Sequence, residues 1–271
     1  MKKFKKQLLA GLLTAVMAVS AFASATPAEA ASLSAKQYLT KMAKATEKAK
    51  SYEMKMNMDM DISIQGQTTS TKMTSTTIAF TKPMKMKTVM NMTTSISGEN
   101  TKNKIISYMK QKNNKLIEYT STDGKTYEKN TLDLSEYSDM LGSLQTTDMY
   151  SDLKVVKNNV KVNGKSTAQI KAQIKGSDIA SLLAELGMNN NTSTGTTSYD
   201  YSSLSPITVS IWVDKKTYRP VKQTIDMKDF MNELFSSLGS DVTMSYPKIK
   251  VSVTYKNFNN ATKFSLPKAC K

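Results

Sequence analysis

The sequence predicts an α+β chain built on a large, curved antiparallel sheet. Three observations carry this expectation. Residues 52–64, YEMKMNMDMDISI, place an apolar side chain at every second position over thirteen residues, and a side-chain period of two marks a half-buried strand. Met84 to Ile96 repeats the pattern, with Met84, Met86, Met90, Met92 and Ile96 sharing one parity with Thr88 and Thr94. Asn113-Asn114, Asp123-Gly124 and Asn163-Gly164 then separate shorter alternating runs, as hairpin turns do. Thirteen residues at ~3.3 Å each reach about 43 Å. That is longer than an ordinary strand and suits a large sheet with one side facing water.

The first residues stand apart from this pattern. Met1 to Lys6 is positive, Leu8 to Ala23 is apolar and alanine-rich, and Ala28-Glu29-Ala30 is a small-x-small triplet. Together they predict a signal peptide at 1–30, cut after Ala30 or one residue later. The apolar run is shorter than the ~20 residues of a membrane span. A single domain is expected at 31–271, secreted and extracytoplasmic in the cell envelope. No cysteine follows the cleavage pattern, so no lipid anchor is expected. The one cysteine, Cys270, is next to last and is expected on a frayed tail.

Ser34 to Lys50 reads as a helix capped by Ser34, with Tyr38, Met42, Ala45 and Ala49 on one face beside Leu39. The long alternating strand follows. Gln67 to Thr71 reads as a polar turn, Thr74 to Thr81 as a strand and Lys82-Pro83 as a turn into Met84 to Ile96. Ile105 to Lys110, Leu116 to Ser121 and Lys125 to Lys129 complete a meander. Leu132 to Leu144 is expected to be helical. Strands resume at Val155-Val156, Val160 to Val162 and Thr167 to Lys175. Ser177 caps a short helix that Gly187 ends, and 188–203 is polar enough to be a flexible loop. Ile207 to Val213 and Val221 to Met227 flank a turn opened by Asp214 and closed by Pro220, both structural in role. A helix at Asp229 to Leu238 and a strand at Ile249 to Tyr255 finish the chain.

Nine of the 19 methionines fall between residues 54 and 92, and three uses compete for them. As plain core, each contributes about 1.5–3 kcal/mol on burial, but methionine specifies a unique packing poorly. As the wall of a groove, pliable thioethers repack around varied acyl chains. As soft-metal ligands they suit Cu(I), but strand neighbours pointing the same way are about 7 Å apart.

The chain carries 38 Lys and Arg against 22 Asp and Glu, a net charge of +16; removing residues 1–30 leaves 34 against 21. Every basic residue except Arg219 is lysine, spread without a dense block. Nucleic-acid readers combine arginine with aromatics, so no nucleic-acid partner is expected. A solvated lysine surface explains the composition, and so does attraction to an anionic membrane surface or cell-wall polymer. The sequence contains no histidine, which removes the commonest general base and most zinc sites. No nucleophile elbow or phosphate-cradling glycine loop appears. Glu53, Asp59 and Asp61 share the polar face of one strand, where solvated charges are the usual finding. An enzyme is not expected, nor a cofactor, nor a metal.

The order of these elements resembles the LolA/LolB-like lipoprotein-carrier superfamily, with its LppX/LprG-like and secreted Gram-positive members. The stretches that carry the resemblance are Lys50-Ser51-Tyr52 before the long strand, KPMKMKTVMNM at 82–92, IWVDKKTYRPVKQTIDM at 211–227 and YKNFNNATKFSLPKA at 255–269. The resemblance implies a strongly curved antiparallel sheet, an incomplete barrel, with helices across its concave face. It also implies that acyl chains are held between sheet and helices. The missing lipid-attachment cysteine departs from the anchored members.

The expectation is therefore a secreted, non-catalytic protein binding a lipid or other hydrophobic small molecule. Met54, Met56, Met58, Met60, Met84, Met86, Met90 and Met92 would line the groove. The alternative is an envelope-associated structural or adhesion module with a solid core that binds anionic wall polymers through its lysines.

Overall fold

The structure is a computed structural model that describes residues 33–135, 150–179, 204–237 and 244–270. The predicted signal peptide, the loop at 188–203 and most of the helices expected at 132–144 and 177–187 lie outside the described residues. Helix α1, Ala35–Glu47, starts where the sequence places it. Ser34 Oγ accepts from the Gln37 amide at 3.2 Å, and Gln37 Oε1 accepts from the Ser34 amide at 2.8 Å. This reciprocal cap satisfies two amides that the first helical turn leaves without partners.

Eleven strands follow: β1 Ser51–Ile64, β2 Gln67–Thr81, β3 Met84–Ile96, β4 Glu99–Lys112, β5 Lys115–Ser121, β6 Glu128–Asp133, β7 Tyr150–Val162, β8 Lys165–Ile174, β9 Ile207–Asp214, β10 Pro220–Asp226 and β11 Met244–Lys256. Helix α2, Lys228–Ser237, joins β10 to β11, and a 3-10 turn spans Lys268–Cys270. The strands form one antiparallel sheet in the order β6-β5-β4-β3-β2-β1-β11-β10-β9-β8-β7, which is not closed into a barrel. β1 pairs with β11, so two meanders meet where the first strand lies beside the last.

Several boundaries differ from the sequence expectation. Gln67 to Thr71 is strand, because the turn lies at Gln65-Gly66 with φ of 50° and 82°. Both central residues of such a hairpin turn need positive φ, and a polar threonine run is still β-branched. β6 begins at Glu128 because Asp123 organises a wider loop: its Oδ1 accepts from the amides of Lys125 at 2.7 Å and Thr126 at 2.8 Å. Leu132, expected in a helix, therefore sits in β6, paired with Leu116. The two short strands near Val155 and Val160 are one strand, β7, with register shifts near Asp152 and Asn159, both at positive φ. Such bulges blunt an edge strand against further pairing.

One sheet face carries the main core. Tyr38, Leu39 and Met42 of α1 and Phe230 of α2 join Met54, Met56, Met73, Met90, Ile170, Val209, Ile211, Val251 and Val253 in a single buried cluster. Register places all of these strand residues on the same side.

The opposite face holds a second cluster, and here two expectations are corrected. Cys270 is not on a frayed tail; it is 1% exposed and packs with Tyr108 and Tyr119 under Phe264 and Leu266. Lys85 Nζ donates to the Phe264 carbonyl at 2.8 Å and Lys110 Nζ to the Cys270 carbonyl at 2.9 Å, which ties the tail across the strands. Glu53 is not a solvated strand charge either, being 5% exposed. Its Oε1 accepts from Thr262 N at 2.8 Å and Thr262 Oγ1 at 2.7 Å, and Lys256 lies 3.4 Å from Oε2. Burial pushes this carboxyl up, but the Thr262, Asn257 and Lys256 donors outweigh it and hold the pKa at about 2.

Candidate functional site: the methionine face

The eight methionines singled out from the sequence all lie on the face that carries the main core, because strand pairing keeps directly opposed residues on one side. Their rows run across β1, β2, β3 and β4. Met54 opposes Thr77, then Thr88, then Ser107. Met56 opposes Ser75, then Met90, then Ile105. Met58 opposes Met73, then Met92, then Asn103, and Met60 opposes Thr71, then Thr94, then Thr101. In the other direction Tyr52, Ala79, Met86 and Met109 form a row that reaches Glu118 on β5.

Beyond β1, two methionine-bearing rows are therefore flanked on each side by a hydroxyl row. The hydroxyls bond across strands, Thr77 to Thr88 at 3.1 Å and Thr71 to Thr94 at 3.4 Å, so burial leaves them satisfied. Among the described residues no buried side-chain nitrogen or oxygen lacks a partner.

Burial changes along the strands. Met54 and Met56 are 4% and 1% exposed, and Met90 is also buried. Met58 is half-buried against the same core. Met84 and Met86 are half-buried in a separate cluster around Met109 and Leu116. Met60 and Met92 are half-buried and belong to neither cluster. The face ends at Ile64 and Ile96, 41% and 53% exposed. An apolar strip thus leads from a packed interior to solvent.

Sequence reasoning counted Met73 among the methionines but did not place it in the site. Its neighbours on β2 are threonine and lysine, so β2 lacks the methionine repeat of β1 and β3; only register reveals that Met73 links Met58 to Met92. Glu118 was missed for a similar reason. It sits in a short strand, KLIEYTS, with no strict alternation. Ser107 Oγ donates to its Oε1 at 2.8 Å, and burial raises its pKa, an effect the Ser107 bond partly offsets.

Asp214 behaves as its turn role requires. Its Oδ1 accepts from the Lys216 amide at 2.8 Å and the Thr217 amide at 3.3 Å, with Lys165 3.6 Å from Oδ2. Burial pushes its carboxyl up, but these donors prevail and lower the pKa. Pro220 opens the return strand β10.

A family model described as "Family of unknown function (DUF6612)" matches residues 34–271. The chain belongs to this family. The resemblance to the lipoprotein-carrier superfamily is not part of that match. Among the solved structures to which this DUF6612 chain is similar are two from bacteria. One is a DUF1329 family protein from Desulfovibrio piger, with 10% identity and a TM-score of 0.23 over 83% of this chain and 91% of that one. The other is a beta-barrel-like protein of domain of unknown function DUF1849 from Brucella abortus, with 13% identity and a TM-score of 0.21 over 79% and 99%. Likenesses this remote carry no argument about the site. No curated protein matches the chain. Among the described residues no helix is long and apolar enough to cross a membrane.

Proposed function

We propose that this protein is a secreted, non-catalytic binding protein that accommodates a lipid or other hydrophobic ligand in a half-barrel groove lined by its methionine face. One observation carries the reading: the apolar strip of β1 and β3 continues beyond the packed core, through Met58, Met60 and Met92, to Ile64 and Ile96 at the rim. A chain built only to bury its apolar residues gains nothing from extending that strip to water. Met58, Met60, Met84, Met86 and Met92 would meet the ligand first. Met54, Met56 and Met90 would repack around it, which unbranched thioethers do at low cost. The resemblance to the lipoprotein-carrier superfamily supplies helices over the concave face and a ligand of acyl-chain type. Lysines would draw the protein to anionic envelope surfaces.

Native mass spectrometry of protein purified from its own host, followed by lipid extraction, tests this reading. A bound mass that extracts as lipid is expected. A clean apo mass, with no uptake of phospholipid or fluorescent fatty acid, overturns it.

The burial of Met54, Met56, Met73 and Met90 in one core favours a second reading: an envelope-associated module with a solid interior that binds wall polymers through its lysines. It predicts salt-sensitive binding to anionic polymers by a protein that carries no lipid.

A further inference from the structure

Glu118 stands out as a half-buried carboxylate on a face whose other charges among β1 to β6, Glu99 and Glu128, lie exposed at its margins. The methionine-face positions of β1 from Met54 to Ile62, of β2 from Thr69 to Thr81, of β3 and of β4 from Thr101 to Gln111 are apolar, hydroxyl or amide. The next strand, β5, presents Leu116, Glu118 and Thr120 there, paired with Gln111, Met109 and Ser107. A half-buried carboxylate ordinarily takes a cation or several donors. This chain has 38 lysines and arginines to offer. Yet among the described residues no basic side chain lies within ion-pair distance of Glu118. Its one hydrogen bond there is from Ser107 to Oε1. Glu53 shows what the same chain does with a structural glutamate: two donors and a lysine surround it. Glu118 is left with an oxygen to give.

Its surroundings say what it would receive. Along its own row lie Met109 and Ala79, both buried, and between them Met86, half-buried; Met109 packs with Met84 and Met86, thioethers able to repack around a chain. A molecule matching both features has a hydrocarbon chain and a positively charged head.

We propose that Glu118, oriented by Ser107, binds the ammonium head of a cationic amphiphile whose chain lies against the half-buried Met86 and Met84, with Met109 repacking beneath it. The proposal rests on the reading of this face as a hydrophobic site and adds the class of ligand. The lysine surface acts at a different stage: it draws the protein to anionic envelopes, whereas the interior carboxylate disfavours anionic heads.

Three probes of equal chain length test it: dodecylamine, dodecanol and dodecanoic acid, each below its micelle concentration, competing with the neutral dye N-phenyl-1-naphthylamine on the purified protein. Dodecylamine should displace the dye at about tenfold lower concentration than dodecanol, as one charge-assisted hydrogen bond predicts, with dodecanoic acid weakest. In Glu118→Gln the amine and the alcohol should become equal while the dye still binds. If amine and alcohol bind alike in the unaltered protein, or if E118Q retains the preference, the proposal is overturned and the hydrophobic site stands. If neither the dye nor any of the probes binds, both fall together. Should E118Q fail to fold, judged by circular dichroism, the comparison of amine with alcohol on the unaltered protein decides alone.

Discussion

The two halves of the sheet share one buried face but fill it differently. From β8 to β11 the face is made of Ala168, Ile170, Val209, Ile211, Val213, Val251 and Val253, all essentially inaccessible. From β1 to β4 it is mainly methionine, threonine and serine, with Ala79 and Ile105 among them, and burial fades toward the rim. β1 is the border: Met54, Met56, Met58 and Met60 oppose Tyr255, Val253, Val251 and Ile249 on one side. β-Branched side chains have few rotamers and lock a packing. Methionines have many and tolerate rearrangement. The side-chain chemistry predicts that one half acts as a frame and that the other repacks more readily.

The largest test falls on the frame. Ile211→Ala should cost about 2–5 kcal/mol in denaturant unfolding, since a fully buried site cannot collapse around the lost atoms. A cost under about 1 kcal/mol would show that this half is as yielding as the other.

The next concerns the back of the border strand. Glu53→Gln should cost about 1.5–3 kcal/mol, the range for hydrogen bonds to a charged group. It should also release the tail, so Cys270 would react faster with a thiol reagent. The acid sensitivity has a definite sign. Glu53 titrates at about 2 in the folded protein, below its ordinary 4.5, so its contribution is whole above about pH 4.5 and is lost as pH falls toward 2. Unfolding of E53Q across this window should lack that component.

A paired comparison probes packing directly. Val209→Leu should cost about 1–3 kcal/mol by overpacking, whereas Met56→Leu, though equally buried, should cost less than about 1.5 kcal/mol. Equal costs would erase the proposed difference between the halves. The smallest effect belongs to the hydroxyl rows. Thr77→Val should cost about 1 kcal/mol by stranding Thr88, while the double change Thr77→Val with Thr88→Val should be nearly neutral. A double change that costs the sum of both singles would mean the hydroxyls act independently.

Much of this was legible in residue order. The capped first helix, the long strands β1 and β3, the Asn163-Gly164 hairpin and the Asp214 turn follow from local chemistry: side-chain period, capping oxygens and residues that tolerate positive φ. The expectations that failed were those in which local composition imitated something else. The Gln67 to Thr71 stretch looked like a turn because it is polar, and Glu53 looked solvated because its neighbours on that face are charged. Cys270 looked frayed because it is near the chain end. Each is placed by partners on another strand or segment: Ser70 by Asp61 across the hairpin and by Ser95, and, far away in sequence, Glu53 by Thr262 and Cys270 by Tyr108 and Lys110.

Alternation along a strand is a property of consecutive residues, so the chain alone dictates which side chains share a face. Which of them become neighbours across strands is set by register and strand order, which no single segment contains. That is why Met54 to Met60 could be assigned to one face in advance. The row Met58–Met73–Met92, the unmatched Glu118 and the tail bound across the opposite side emerged only when distant segments were brought together. Backbone sterics act over a few residues, whereas partners for buried charge and apolar area are found wherever the folded chain returns.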